Sequence, residues 1–189
     1  AATSGIEREW SSFRLPIFNT CNKALMQMNL QLHYVVSDIT GTTGMNIIRA
    51  IVAGTQNPAT LAKFRDSRCR ASEQVICQAL TGNFRAEHLF ALRQAVELYD
   101  TYQAKIADCD TELERVLSEL NAGREIPTAS LPKKRNRSRQ KNEPTADIHS
   151  ALFTLAGGVD LTQIHGLGPY SALRIVAEVG TDMSRWPTV

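Results

Sequence analysis

A regular apolar stripe between Leu89 and Leu120 constrains this chain more than any other feature of its sequence. Its members follow one another in alternating steps of three and four residues, which is the spacing of a heptad seam on one helix. The seam positions are Leu89, Leu92, Val96, Tyr99, Gln103, Ile106, Asp110, Leu113, Leu117 and Leu120. At about 1.5 Å per residue such a helix is roughly 50 Å long, so the stripe needs other protein along much of its length.

Two kinds of partner could cover this apolar stripe. In the first, a second copy of the chain forms a coiled coil with it, and the contacts come from Leu92, Val96, Tyr99, Ile106, Leu113, Leu117 and Leu120. In the second, a neighbouring domain of the same chain packs along the helix. Gln103 and Asp110 favour the first, since polar seam positions commonly fix register or oligomeric state. We therefore predict a homo-oligomer and keep intramolecular docking as the alternative.

The other patterned stretches are also helical. Apolar residues recur at helical spacing from Asn19 to Ser37 and predict one amphipathic helix there. Asn57 before Pro58, and Ser72, are residue types that cap helices, so each predicts the start of a short helix. No stretch shows the apolar and polar alternation of a strand bounded by hairpin turns. We predict an all-α protein.

The chain is expected to fall into five segments. They are an N-terminal segment 1–21, a helical cluster 22–83, a coiled-coil helix 84–121, a disordered basic linker 122–147 and a C-terminal helix-hairpin-helix segment 148–189.

Basic residues are concentrated in one part of the predicted linker. Residues 124–141 hold seven basic residues and one acidic residue, a net charge of +6, whereas the whole chain has +2, which leaves −4 elsewhere. Such a segment binds phosphates by counterion release, which needs charge density and tolerates disorder. The predicted DNA contacts are Lys133, Lys134, Arg135, Arg137, Arg139 and Lys141. The alternative is a solvated tether.

The sharpest motif lies between Leu161 and Gly180. It resembles a helix-hairpin-helix, in which two glycines let the backbone approach a phosphate and the N–H groups of the next helix hold the anion. We therefore predict nucleic-acid contacts at Gly166, Gly168 and Tyr170, with a plain turn between packed helices as the alternative.

An earlier segment echoes this motif at an offset of 125 residues. The three identities pair Ile39, Gly41 and Arg49 with Ile164, Gly166 and Arg174. A second phosphate-binding hairpin is one interpretation of this echo. A purely structural turn is the interpretation that we favour, because three identities are few for a repeat.

Four blocks together resemble the insertion-sequence one-ten transposase family. They are Lys23–Asn29, Ser37–Gly44 with Ile47–Gly54, Arg85–Leu92, and Ile164–Gly168 continued to Gly180. The resemblance covers about Asn22 to Thr188. For the complete enzyme it implies DNA transposition and recombination, a RuvC-like nuclease domain with acidic DEDD residues and magnesium, a helical coiled-coil region, a serine-bearing C-terminal domain, and a bridge RNA as guide.

Two departures from the family concern catalysis. Residues 1–20 do not look like the acidic nuclease domain, and the family's serine lies beyond the block Ser184–Pro187, near which this sequence ends. We therefore expect a fragment truncated at both ends, without catalytic residues, that binds DNA and self-associates but is inactive alone. The alternative is a free-standing helical protein that binds nucleic acid or acts as a scaffold.

The remaining polar residue types suggest no cofactor in this chain. His33, His88, His149 and His165 have no cysteine or carboxylate at metal-ligand spacing, so we expect packing or surface roles and no metal site. The four cysteines lack a paired spacing and are expected to be reduced, mostly packing residues. With no apolar run of membrane-spanning length and no secretion signal, we expect a cytoplasmic protein without a membrane partner.

Overall fold

A computed structural model describes residues 17–125, 127, 130, 131, 144 and 146–181 of the chain. Within these ranges all regular structure is helical and no strand occurs, which confirms the predicted all-α class. None of the helices in these ranges combines the length and apolar character needed to cross a membrane. The chain divides into two compact units, with the division between Gln103 and Ala104.

The N-terminal unit is a cluster of mostly short helices around an aliphatic core. The helices are α1 (residues 17–27), α2 (Leu32–Val35), α3 (Thr42–Val52), α4 (Pro58–Ala62), α5 (Glu73–Ala79) and the first part of α6 (Ala86–Asn121). The fully buried core side chains include Leu25, Met28, Ile47, Ile48, Leu61, Ile76, Leu80 and Leu92. Helices as short as α2, α4 and α5 are marginal alone, so this shared core stabilises them.

Local capping sets where α4 and α5 begin. The side-chain oxygen of Asn57 accepts a hydrogen bond from the Ala59 N–H at 2.9 Å, directly before Pro58 at the first helical position. The Ser72 hydroxyl oxygen accepts from the Val75 N–H at 3.3 Å. Both predicted helix starts are therefore confirmed, because each cap satisfies an N–H that the helix itself leaves unpaired.

The predicted single helix from Asn19 to Ser37 is wrong in its middle. Helix α1 ends at residue 27, and Asn29 has a positive φ of 58°, a left-handed conformation that asparagine tolerates better than most residues. The Leu30 N–H then donates to the Leu25 carbonyl at 2.8 Å, which closes the helix end. The helical spacing continued through this break because Leu25, Met28 and Leu32, which are three and four residues apart, are all buried.

The C-terminal unit contains the remainder of α6, α7 (Ile148–Leu155), a 3-10 turn (Leu161–Gln163) and α8 (Pro169–Val179). Its small core consists of Ile148, Leu152, Leu155 and Ala172, with Leu113, Leu161, Leu167, Tyr170, Leu173 and Val176 packed around them. Hydrogen bonds tie the end of α6 to α7, since Asn121 Nδ2 donates to the Ala151 carbonyl and Arg124 Nη1 to the Leu155 carbonyl. The unit thus depends on both polar and apolar contacts.

The coiled-coil helix predicted over residues 84–121 is observed as α6. Leu92 and Val96 of its seam are buried in the N-terminal core, against which Leu89 and Tyr99 also pack. Further along, Leu117 is buried and Leu113 packs against the C-terminal core. Much of the seam is thus covered within the chain, as the docking alternative expects. Self-association stays a prediction.

The middle of the seam is covered less. Gln103 is exposed, and Ile106 and Asp110 are half-buried. Gln103 is also the last residue of the N-terminal unit. This polar seam position therefore lies at the boundary between the part of α6 in the N-terminal unit and the part in the C-terminal unit.

Candidate nucleic-acid interface

The predicted hairpin is a tight turn followed by a helix. The Leu167 N–H donates to the Ile164 carbonyl at 3.1 Å, and Gly166, the third residue of this turn, has a φ of +85°. A positive φ at that position is what a type II turn requires, which explains the glycine. Gly166 is exposed, and a methyl group added to it would meet nothing within 4 Å. A ligand can therefore approach the backbone here.

Helix α8 begins directly after this turn. Gly168 is its N-cap residue, with extended backbone, and Pro169 occupies the first helical position. No side chain caps the helix within the described part of the chain, so the N–H groups at its second and third positions, Tyr170 and Ser171, have no such acceptor. Ser171 is exposed. The helix start thus presents backbone donors and the positive end of the helix dipole.

The other two predicted hairpin residues lie closer to the protein core. Gly168 is buried, so a substitution there would test packing before it tested ligand approach. Tyr170 is half-buried, and its side chain packs against the core of the C-terminal unit with Leu167. Of these three residues, Gly166 is therefore the one that the turn exposes, and Tyr170 offers its backbone N–H.

A buried carboxylate lies just before the turn, and sequence reasoning missed its role. Asp160 Oδ1 accepts from the Thr162 N–H at 2.9 Å and from the Thr162 hydroxyl at 2.7 Å. The same oxygen lies 3.0 Å from His149 Nε2 of α7, and Asp160 Oδ2 accepts from Gln163 Nε2 at 2.8 Å. The side chains of His149 and Asp160 are each only 4% exposed.

The charge state of this cluster follows from its contacts. Burial raises the pKa of Asp160, but hydrogen bonds from Gln163, Thr162 and His149 outweigh burial and hold the pKa well below its ordinary value of 3.8. Asp160 is therefore a carboxylate at neutral pH and can only accept hydrogen bonds. In the contact between the two side chains the proton is accordingly on His149 Nε2, which donates to Asp160 Oδ1. His149 Nδ1 is buried without a hydrogen-bond partner among the described residues.

The earlier glycine turn has the same beginning but a covered end. Thr40 donates to Asp38 Oδ1 from its N–H and hydroxyl at 2.9 and 2.7 Å, and Gly41 is the N-cap of α3. Thr43 is buried, and its hydroxyl oxygen accepts from the Asp66 N–H at 3.0 Å. A methyl group on Gly44 would lie 2.2 Å from the Ile39 carbonyl oxygen. The structure therefore favours a structural turn here.

The echo of 125 residues does not align the two turns as the structure builds them. Gly41 is the N-cap of α3, whereas its sequence counterpart Gly166 lies two residues before Gly168, the N-cap of α8. The two arginines also differ in environment. Both are exposed, but Arg49 forms an ion pair with Asp100 at 2.5 Å.

Other arginines of the N-terminal unit are occupied by the protein itself. Arg65 donates from its guanidinium to the carbonyls of Cys69 and Ala71, both at 2.6 Å, and so closes the loop after α4. Arg68 pairs with Asp66 at 2.9 Å. These cations are less available to a phosphate than unpaired ones, because a ligand would have to compete with their present acceptors.

The predicted basic contacts lie outside the described residues. They are Lys133, Lys134, Arg135, Arg137, Arg139 and Lys141. Their expected contribution to binding is electrostatic.

The resemblance implied magnesium for the complete enzyme, and the described residues contain no group of three or more His, Cys, Asp or Glu that could hold a metal ion. No protein-family model, curated protein or solved structure matches this chain.

Proposed function

We propose that this chain is the nucleic-acid-binding portion of an insertion-sequence transposase. Its C-terminal turn and the start of α8 would hold a backbone phosphate, and the basic segment 133–141 would add charge. The observation that carries the proposal is the exposed Gly166, which has a positive φ and open space around it and lies just before a helix start that no side chain of the described residues caps. Backbone donors at a helix N-terminus bind anions well.

The partners follow from this chemistry. Contacts from backbone N–H groups and lysine or arginine side chains to phosphates carry no base information, so binding is expected to be nearly independent of sequence. DNA is the main partner that we propose, and a bridge RNA, which has the same phosphates, is the second. On the sequence resemblance, we further propose transposition and recombination with magnesium as the activity of the complete enzyme. On the sequence composition, we propose a cytoplasmic location.

The turn can be tested at Ser171, the exposed third residue of α8. Ser171→Glu places a negative charge beside the proposed phosphate, and Ser171→Gln is a neutral control of the same size. We expect Ser171→Glu to weaken duplex binding by about fivefold or more at low salt, while Ser171→Gln stays within about twofold. Equal affinities for the two variants would exclude a phosphate at the helix start.

The basic segment is tested separately by its salt dependence. Replacing the six basic residues between Lys133 and Lys141 with glutamine should flatten the plot of log affinity against log salt by about 0.9 per lost phosphate contact on duplex DNA. Ser171→Gln should keep the parent slope, since it removes no charge. A glutamine variant with the parent slope would identify the segment as a tether.

We also propose self-association through the parts of α6 that remain accessible. Leu120 is 51% exposed, whereas Leu92 is fully buried. Leu120→Asp can therefore test association without disrupting the packing of a core. We expect Leu120→Asp to lower the association constant in sedimentation experiments while helicity stays unchanged. A parent chain that sediments as a monomer at high micromolar concentration would exclude the homo-oligomer.

A further inference from the structure

A buried contact joins α7 to the loop before the glycine turn. We propose that His149 and Asp160 form a positioning pair that holds the Gly166 turn in the conformation that contacts phosphate. The inference rests on the proposed function for the identity of the ligand, a phosphate of the duplex backbone. The pair itself is defined by geometry, since the two side chains meet at 3.0 Å and are almost fully buried.

A continuous series of hydrogen bonds connects this pair to the turn. Asp160 accepts from Thr162 and Gln163, and this fixes the 3-10 turn Leu161–Gln163. The next residue, Ile164, donates its N–H to the Leu161 carbonyl and accepts from the Leu167 N–H across the glycine turn. His149 is the only member of this series that belongs to another helix. It therefore anchors the loop to α7.

A histidine suits this position for a specific reason. A buried carboxylate is costly unless donors surround it, and Oδ1 of Asp160 receives three donors, two of them from the neighbouring Thr162. Those two move with the loop, so they cannot fix its position relative to α7. The Nε2–H of His149 does fix the loop relative to α7, because His149 lies in the first turn of that helix. Ile148 and Leu152 of the same helix belong to the core.

Preorganisation connects the anchor to binding. A glycine turn that samples other conformations must be ordered when the ligand arrives, and this ordering reduces affinity. Gly166 has no neighbour within 4 Å of a methyl position, so packing does not order it from outside. Packing of Leu161 and Leu167 against the core holds the two ends of this segment, and the hydrogen bonds that lead back to His149 restrict the residues between them.

The test uses the full chain and three variants. His149→Leu removes the hydrogen-bond donor and replaces the imidazole with an apolar side chain of similar volume. His149→Gln restores an N–H donor through its amide. Leu152→Ala is the control for stability, because Leu152 is buried in the same helix and contributes no hydrogen bond to the loop. The two readouts are amide hydrogen exchange of Leu167 and affinity for duplex DNA, both measured well below the melting temperature.

The expected pattern separates positioning from general stability. In His149→Leu, exchange of the Leu167 amide should rise by about tenfold or more, because the turn opens locally, and affinity should fall by at least about threefold. His149→Gln should recover most of both. Leu152→Ala should lower the melting temperature and leave both readouts within about twofold of the parent.

Two results would overturn the positioning pair. One is a His149→Leu variant with the parent's exchange rate at Leu167, and the other is a Leu152→Ala variant that loses as much affinity as His149→Leu. A parent chain that fails to bind duplex DNA would instead contradict the proposed function and the ligand, while exchange at Leu167 would still decide whether the pair holds the turn.

Discussion

The two glycine turns of this protein begin alike and end differently. In each, an aspartate accepts from the N–H and hydroxyl of the threonine two residues later, at 2.9 and 2.7 Å in both cases. In each, a glycine with extended backbone is the N-cap of an 11-residue helix, α3 or α8. The first turn reaches its N-cap three residues after the aspartate, and the second after eight.

The difference lies in what approaches the helix start. At α3 the chain itself covers the helix start. Gly44 lies against the Ile39 carbonyl, and the Thr43 hydroxyl accepts a hydrogen bond from the Asp66 N–H. At α8 the equivalent third helical position is Ser171, which is exposed, and the turn before it has open space around Gly166. A glycine-rich turn in a sequence therefore indicates close approach, and only the fold shows whether the neighbour is protein or ligand.

The largest expected effect compares the third positions of the two helices. Gly44→Ser should destabilise the N-terminal unit by about 3 kcal/mol or more, because its Cβ would overlap a backbone carbonyl that cannot rotate away. Ser171→Ala should change stability by less than about 0.5 kcal/mol. Denaturant unfolding followed by circular dichroism measures both. Similar values for the two would remove the distinction between a covered and an open turn.

The second effect compares the two aspartates. Asp160→Ala leaves buried donors of His149 and Thr162 without their acceptor and should cost about 3 kcal/mol. Both aspartates are half-buried as whole residues, but the Asp160 side chain is only 4% exposed and joins another helix through His149. Asp38 accepts from Thr40 two residues away, so Asp38→Ala should cost less, about 1 kcal/mol. The same unfolding measurement applies. A larger loss for Asp38→Ala would mean that the shorter turn depends more on its aspartate.

The third effect is a pH dependence specific to the second turn. The pKa of Asp160 is held below 3.8 in the folded state, so the carboxylate adds stability above about pH 4, and this contribution is lost as the pH falls below that value. Asp160→Asn should remove this part of the acid dependence. Melting temperatures between pH 2 and pH 7 for parent and variant test this. Parallel curves for the two proteins would contradict it.

The smallest effect concerns the helix dipole at α8. Ser171→Glu places a negative charge in the first turn of the helix and should stabilise the C-terminal unit by about 0.3 to 1 kcal/mol at low salt. Ser171→Gln should not. The same substitution is expected to weaken DNA binding. A variant that is more stable but binds DNA less tightly would support this helix start as a binding site.

Sequence alone predicted most helices because their boundary signals are local. Asn57 with Pro58, Ser72 and Gly168 with Pro169 each set a helix start through contacts within a few residues. The break at Asn29 escaped prediction because the apolar spacing continued across it. One asparagine in a left-handed conformation, with no glycine or proline beside it, was a weak signal.

The site was less predictable than the fold. Gly166 followed from the turn motif, but the exposure that separates it from Gly168 depends on tertiary packing. The pairing of His149 with Asp160 joins residues 11 positions apart, and no spacing rule indicates it. The repeated Asp-x-Thr at Asp38 and Asp160 was a readable signal. The two aspartates lie 122 residues apart, so the offset of 125 that pairs Gly41 with Gly166 does not pair them.

The burial of Cys21 gives the N-terminal unit an internal chemical reporter. Burial raises the pKa of this thiol from 9.0 to about 11, so at neutral pH its reactive thiolate is about a hundredfold scarcer than it is in an open chain. Cys109 is exposed on α6, and Cys69 and Cys77 are half-buried. With those three replaced by serine, alkylation of Cys21 would proceed largely through molecules whose N-terminal unit has opened. The rate at which a small thiol reagent labels this chain would then measure how often that core exposes its interior.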